Sequence, residues 1–322
     1  MVKYEARIPL PMSMKEYEKG YTYSYTLAAR EANKKGDGDI EIEVSESPFD
    51  NLDGHMGISK YTSYQVPVAK GYYSRRKYNL GTQVPGYVKM IVPANVLLLI
   101  EESWFFPDPD NGELIESITV LVSCYFKHTT LKFVSHTKVR DNDNGRENKY
   151  ENIFNLDEAQ LKARKVEHLD IFEQDKTDNA YDEKYDPALH NSGPKSNRTI
   201  EKDWIEKKSD AYPTCCVYKN CSIDFRVWGI TNKAEKYCME FQLGVFNRVA
   251  GMAFCAMDQY IDLSMEDVMK MWINNHKVLK ELRDKRLAAS ESENDNNTTS
   301  DNNQNANSKP SVSDTTTKET SQ

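Results

Sequence analysis

The chain has 322 residues, of which 39% are hydrophobic and 29% charged, and its formal net charge is −8. This length allows one large domain or two modest ones, each with a buried core. The net charge is negative, and the sequence lacks the excess of basic residues that is typical of nucleic-acid-binding proteins, so we expect no nucleic-acid partner. The longest apolar run, residues 88–100, is interrupted by Pro93 and Asn95, which excludes a spanning helix there. We therefore expect a cytoplasmic protein.

The first predicted element is a helix that begins after Ser13. Ser13 and Glu16 have the spacing of a capping box, and an alanine-rich segment follows them. The sequence KKGDGD at residues 34–39 ends the helix. The stretch IEIEVSESPF then alternates at period two, which predicts a strand.

The next strand carries an unusual number of cations. In GYYSRRKYNLGTQVP, residues 71–85, strand alternation places Ser74 and Arg76 on one face and Arg75 and Lys77 on the other. A buried cation is costly unless it is paired. If the first face is buried, Arg76 is therefore expected to bind an anion.

Two further strands, ELIESITVLVSCYF and TTLKFVSHTKV, are flanked by the turn signals Asn111-Gly112 and Asn144-Gly145. Consecutive strands joined by short turns predict an antiparallel meander. Together with the helices, this arrangement predicts an α+β fold. A doubly wound nucleotide-binding fold is not expected, because strands and helices do not alternate.

The second half begins with a charged, loop-like region at residues 150–212 that has a helix-like start. A strand, TCCVYKNCSIDFRVW, precedes a long helix that opens at Thr231 and extends to about residue 262. Ser264 and Asp267 then cap a last helix. Residues 287–322 are rich in Asn, Ser and Thr, which predicts a disordered tail after a folded domain at 1–286.

No motif for catalysis, metal binding or a cofactor is evident. The cysteine pattern C-C-x4-C fits no zinc site, and the calcium-like stretches DPDNG and DNDNG lack the position-six glycine and the closing glutamate. The cysteines are expected to be reduced, structural thiols. His128 and His136 could lie on neighbouring strands, but no set of acid, base and nucleophile converges in the sequence. We expect no metal and no enzymatic activity.

An ordered set of motifs resembles the phosphatidylinositol transfer proteins, a START-like family. The set comprises GYYSRRKYNLGTQVPGYVKMIVP, Trp104, DPALHNSGPKSNRTIEKDW, YPTCCVYKN, FRVWGITNKAEKY and YIDLSMEDVMKMW. The resemblance runs from about Lys3 to Arg286. It implies a concave antiparallel sheet closed by long helices around a single phospholipid cavity. It also implies a monomeric carrier of phosphatidylinositol or phosphatidylcholine, with the lipid as cargo and no cofactor.

The resemblance carries over only some of the family's headgroup-binding residues. Ser74 and Arg76 stand where the family has a Thr and a Lys that hold the phosphate, and Lys219 is retained. Phe105 stands where the family has an Asn, and Trp272 stands where it has a Glu. Because aromatic side chains replace these two polar groups, the headgroup preference stays open. The aromatic pair could box a choline or narrow the cavity. Alternatively, an adjacent acid, Glu266 or Glu281, could replace the family's Glu.

The resemblance also implies transient, peripheral contact with membranes. Val227 and Trp228 stand at the family's docking pair, although Trp228 could instead pack on the helix that follows. Ser192 stands at a regulatory serine of the family and is a candidate for phosphorylation. The resemblance therefore predicts an intracellular phospholipid transfer protein. The alternative is a lipid-sensing module with altered headgroup specificity that does not transfer phosphatidylinositol.

Overall fold

The computed structural model describes most of the chain up to residue 275. The described ranges are 1–34, 40–50, 70–79, 98–107, 114–123, 131–178, 180–191, 193–207, 211–225 and 231–275, with residues 59, 62, 64–66, 277, 278, 280, 281 and 285. One compact unit comprises Met1–Leu279, and Lys280–Gln322 forms a second unit. The predicted domain boundary at residue 286 and the disordered tail stay predictions.

The described residues form eight strands, six α-helical segments and one 3-10 helix at Glu183–Tyr185. The strands are β1 (Val2–Leu10), β2 (Ile40–Asp50), β3 (Lys70–Asn79), β4 (Leu98–Pro107), β5 (Leu114–Ser123), β6 (Leu131–Asp141), β7 (Lys165–His168) and β8 (Cys215–Phe225). The helices are α1 (Met14–Lys34), α2 (Glu158–Ala163), α3 (Trp204–Lys207), α4 (Thr231–Cys255), α5 (Met257–Tyr260) and α6 (residues 265–275).

The strands form one mostly antiparallel sheet in the order β2-β3-β4-β5-β6-β8-β1-β7. Among the described strands, only the pairing of β1 with β7 is parallel. Strands β2 to β6 pair in sequence order, which confirms the predicted meander and the α+β class. Sequence reasoning missed β1 and β7.

Both predicted helix caps are confirmed. Ser13 Oγ accepts from the Glu16 amide at 3.2 Å, and the Ser13 amide donates to the Glu16 carboxylate at 2.8 Å, which closes the capping box before α1. At the start of α6, Ser264 Oγ accepts from the Asp267 amide at 3.1 Å. The helix that opens at Thr231 is shorter than predicted, because α4 ends at Cys255 and the short α5 follows.

A turn lies at Asn144-Gly145 as predicted, but it is not the hairpin turn that the Asn-Gly signal indicates. Strand β6 ends at Asp141, and a turn-rich segment rather than a strand follows Gly145. Gly145 adopts a φ of 68°, and its carbonyl accepts from Arg7 at 3.3 Å. The Asn-Gly pair therefore forms a turn next to Arg7 of β1 and does not connect two neighbouring strands.

Helices α1 and α4 cover one face of the sheet, which we call the inner face. Ile8, Leu10 and Val217 pack there with helix residues, and together they form the largest buried cluster. The opposite, outer face has its own buried cluster, centred on Trp104 and Tyr73. The sheet is thus buried on both sides along β3 to β5, and different side chains are buried on the two faces.

Candidate functional site

A row of small hydroxyl side chains crosses the inner face. Ser74 of β3 pairs with Ser103 of β4, Ser103 with Thr119 of β5, and Thr119 with Ser135 of β6. Side chains at directly paired positions point to the same face, so these four hydroxyls line one strip of the cavity side. Sequence reasoning identified Ser74 and missed the other three, because only the strand registers bring them together.

Ser74 differs from the other hydroxyls in this row. Its side chain is fully buried, and its Oγ has no hydrogen-bond partner among the described residues. By contrast, Ser103 Oγ lies 3.0 Å from Thr119 Oγ1. A buried polar group without a partner costs about 1–3 kcal/mol. Such a group persists most readily where a bound molecule satisfies it.

Arg76 lies two residues further along the same face and is 9% exposed. Its Nη1 donates to Glu101 of β4 at 3.1 Å. Its guanidinium carbon lies 5.1 Å from the ring centre of Trp272 and 5.9 Å from that of Tyr25. The sheet, α1 and α6 therefore converge on this cation, and cation–π contact stabilises its charge away from water.

Trp272 of α6 lies beside Arg76. It is 3% exposed and stacks on Arg76, while Val268, one turn earlier on α6, is also buried. Glu266, one of the alternative acids, is largely exposed and forms an ion pair with Lys270 at 2.7 Å. The buried side of α6 therefore presents Trp272 to the inner face, and Glu266 points elsewhere.

Lys219 lies on the same face, in the row that contains Phe105. Phe105 pairs with Ser117, Ser117 with Thr137, and Thr137 with Lys219. Lys219 is 7% exposed, and its Nζ donates to Thr137 Oγ1 at 3.0 Å and lies 4.8 Å from the ring centre of Phe246. Burial lowers the pKa of Lys219 to about 8, although the charge of Glu101 acts in the opposite direction. Phe105 itself is half-buried.

A series of tyrosines on α1 joins the two cations. The ring centres of Tyr17 and Tyr21 lie 5.5 Å apart, and those of Tyr21 and Tyr25 lie 4.7 Å apart. Tyr21 faces Lys219 at 5.7 Å, and Tyr25 faces Arg76. Burial raises the pKa of both phenols, so they remain neutral.

A cavity lies between these tyrosines, the sheet and α4. Its volume is about 20 Å³, enough for about one water molecule. Apart from the three tyrosines and Lys219, its walls are apolar: Ile8, Leu10, Val217, Val245, Phe246, Val249, Ala250 and Ala253. This lining, which is apolar apart from one amine and three phenols, has the chemical character of a surface that contacts amphipathic molecules.

Three predicted residues, Val227, Trp228 and Ser192, lie outside the described residues, and their assignments stay predictions. His136 lies on the outer face, where it bonds to Glu116 and cannot join the inner-face residues. Within the described ranges, no group of three His, Cys, Asp or Glu side chains could hold a metal ion. Among the same residues, no helix has the length and apolarity needed to cross a membrane.

A family model described as phosphatidylinositol transfer protein matches residues 1–276. The phosphatidylinositol transfer protein beta isoform of Mus musculus is 28% identical over 286 residues, which cover 87% of this chain and 94% of that protein. Phosphatidylinositol transfer protein 1 of Dictyostelium discoideum is 27% identical over 297 residues, covering 90% and 100%. The match to the human membrane-associated phosphatidylinositol transfer protein 2, at 25% identity, covers 84% of this chain and 18% of that protein.

Proposed function

Because the chain belongs to the phosphatidylinositol transfer protein family, we propose that it binds one glycerophospholipid and exchanges it between membranes. The cargo is phosphatidylinositol, phosphatidylcholine or both, and the protein performs no covalent chemistry on it. The relatives are named transfer proteins, which favours exchange over the alternative of a lipid-sensing module.

The buried, unpartnered hydroxyl of Ser74 is the observation that carries this proposal. A phosphate oxygen at that point would accept from Ser74 Oγ, and the adjacent Arg76 would supply a charge-assisted bond. The Ser103, Thr119 and Ser135 hydroxyls extend along the same strip and offer further donors. Lys219 adds a second cation on the same face.

The acyl chains require an apolar chamber, since each CH₂ group kept out of water is worth about 0.8 kcal/mol. The walls formed by α4 and the inner face supply apolar side chains around the described cavity. We assign this chamber as part of a START-like cavity for one phospholipid. The carrier would act as a cytoplasmic monomer that meets membranes transiently.

A vesicle assay tests the proposal. Full-length protein is incubated with donor vesicles that contain labelled phosphatidylinositol or phosphatidylcholine and with unlabelled acceptor vesicles. The protein is expected to accelerate transfer of at least one of the two lipids. Ser74→Ala is expected to lower lipid retention, measured by native mass spectrometry. Ser222→Ala removes a serine hydroxyl from the outer face of the same sheet and serves as the matched control.

Two outcomes would contradict the proposal in different ways. If no lipid class is transferred faster than in the absence of protein, and no lipid is retained, phospholipid binding itself is refuted. If a phospholipid is retained but not exchanged, the lipid-sensing alternative takes its place.

A further inference from the structure

A second cavity lies on the outer face of the sheet, on the side opposite the row of hydroxyl side chains. Its volume is about 180 Å³, and a cavity of about 150 Å³ in another protein holds a molecule of benzene. Strand register places Lys3 beside Ser222 and Val134, and Asn220 beside His136, so these residues of β1, β8 and β6 form the floor. The cavity can therefore hold a small molecule somewhat larger than benzene.

The walls of this outer cavity combine hydrogen-bond donors with an apolar surface. Leu156, Gln160 and Arg164 line it from the segment that contains α2, and Tyr64 adds a phenol and an aromatic ring. The side-chain oxygen of Gln160 accepts from the Asp157 amide at 3.1 Å, which leaves its NH₂ group as a donor. Such a lining suits a small polar molecule that carries hydrogen-bond acceptors.

The charged side chains that line the outer cavity are basic. Lys3 and Arg164 line it together with His136, whereas no described Asp or Glu does. Lys3 is half-buried and forms no ion pair with another described residue. Its charge is therefore available to an anion.

Two carboxylates lie next to lining residues, and both are engaged by cations. Glu5 accepts from Arg164 and, at 2.7 Å, from Arg7, so one carboxylate is shared between two guanidiniums. Glu116 bonds to the lining histidine and also pairs with Lys138 at 3.5 Å. Because these carboxylates are already paired, the charges around the cavity favour an anion over a cation.

A phosphate monoester fits this combination of charge and size. It carries a charge of about −1.5 to −2 at pH 7, which Lys3 and Arg164 together can balance, and its oxygens accept readily from guanidinium donors. The volume is too small for the acyl chains of a phospholipid. We propose that the outer cavity is a second binding site, which takes a small soluble phosphate monoester with a body of about three carbons. This site goes beyond the proposed function and does not depend on it.

Calorimetric titration of the full-length protein tests the site. The probes are glycerol 3-phosphate, glycerate and glycerol, which share a three-carbon body and differ in charge. Glycerol 3-phosphate is expected to bind, glycerate to bind about tenfold more weakly, and glycerol not to bind. Lys3→Gln is expected to weaken binding of glycerol 3-phosphate by about tenfold. Lys162→Gln is the matched control, because Lys162 is 77% exposed on α2 and does not line the cavity.

A second measurement needs no variant. Adding glycerol 3-phosphate is expected to shift the NMR signals of the side-chain NH₂ groups of Gln160 and Asn220, which line the cavity. The corresponding signal of Asn275, whose NH₂ group donates to the Thr26 carbonyl at 3.4 Å, is expected to stay in place.

The proposal is overturned if glycerol 3-phosphate does not bind, if glycerate binds equally well, or if the Gln160 and Asn220 signals do not move. It is also overturned if Lys3→Gln matches Lys162→Gln, since the phosphate would then lie elsewhere. Co-flotation with vesicles containing phosphatidic acid, whose headgroup is also a phosphate monoester, separates the two sources of this group. Vesicle binding that requires Lys3, without binding of glycerol 3-phosphate, would assign the site to a membrane headgroup and refute a soluble ligand. None of these results decides whether the protein transfers phospholipid.

Discussion

Lys219 is predicted to destabilise the lipid-free protein at neutral pH, and Lys219→Met tests this. The amine is 7% exposed, and burial lowers its pKa from the ordinary 10.5 to about 8. At about 1.36 kcal/mol for each unit of pKa, the difference corresponds to about 3 kcal/mol. Part of this gain is offset in the variant, which loses the hydrogen bond to Thr137, worth about 1 kcal/mol.

The sign follows from proton binding. Between pH 8 and 10.5 the unfolded chain keeps the Lys219 amine protonated while the folded protein releases the proton. Because the unfolded state binds more protons in this window, the free energy of unfolding rises with pH. Below pH 8 the cost of burying the charge is fully present. The stability advantage of Lys219→Met should therefore be largest at pH 7 and should shrink by about 2 kcal/mol at pH 9.5.

Urea unfolding of the lipid-free protein at pH 7.0 and 9.5 measures the effect. Other groups titrate in this range, but their contributions cancel in the difference between the variant and the unaltered protein. Lys162→Met is the matched control, since the Lys162 side chain is 77% exposed on α2. A difference between Lys219→Met and the unaltered protein that does not change with pH would refute the reasoning.

Two further predictions concern cargo and membrane contact. Trp228→Ala is expected to slow transfer between vesicles while native mass spectrometry shows the bound lipid unchanged; an unaltered transfer rate would identify Trp228 as a packing residue. The double variant Phe105→Asn/Trp272→Glu restores two polar groups at positions where the family has an Asn and a Glu. It is expected to raise bound phosphatidylinositol over phosphatidylcholine by about tenfold, and an unchanged ratio would show that these positions do not contact the headgroup.

Sequence patterns correctly predicted those parts of the fold that depend only on residues close together in the chain. The Ser13–Glu16 and Ser264–Asp267 caps are both present, because a cap depends on residues only three positions apart. Alternation likewise predicted the shared face of Ser74 and Arg76, and both side chains are buried. These assignments needed no information about distant parts of the chain.

The features that sequence reasoning missed depend on pairing between strands that are far apart in the sequence. Strand β7 has only four residues, and it is ordered by its parallel pairing with β1 about 160 residues earlier. Ser103, Thr119 and Ser135 are each ordinary serines or threonines in a strand. They become one hydroxyl strip through three separate strand registers, which a single sequence does not specify.

The resemblance supplied Trp272 as a site residue, but its physical role comes from the structure. At the family's polar position, Trp272 stacks on Arg76 and helps keep that cation stable in a buried place. The large aromatic side chain at position 272 therefore supports the Arg76 cation directly. This coupling could not be derived from the alignment of one position.

The cost of burying Lys219 links stability to cargo. The amine lies near Thr137 Oγ1 and aromatic rings, and burial disfavours its charged form. A phosphate on the same face would favour the charged form and raise the pKa of Lys219 again. Burying the charged amine without an anion costs free energy. A phosphate that pairs with the amine would recover this free energy, and the recovered part would add to the affinity for the lipid, because a ligand that binds the folded state stabilises it. We therefore expect the protein to be less stable without a bound phospholipid than with one, so that lipid release carries this free-energy cost.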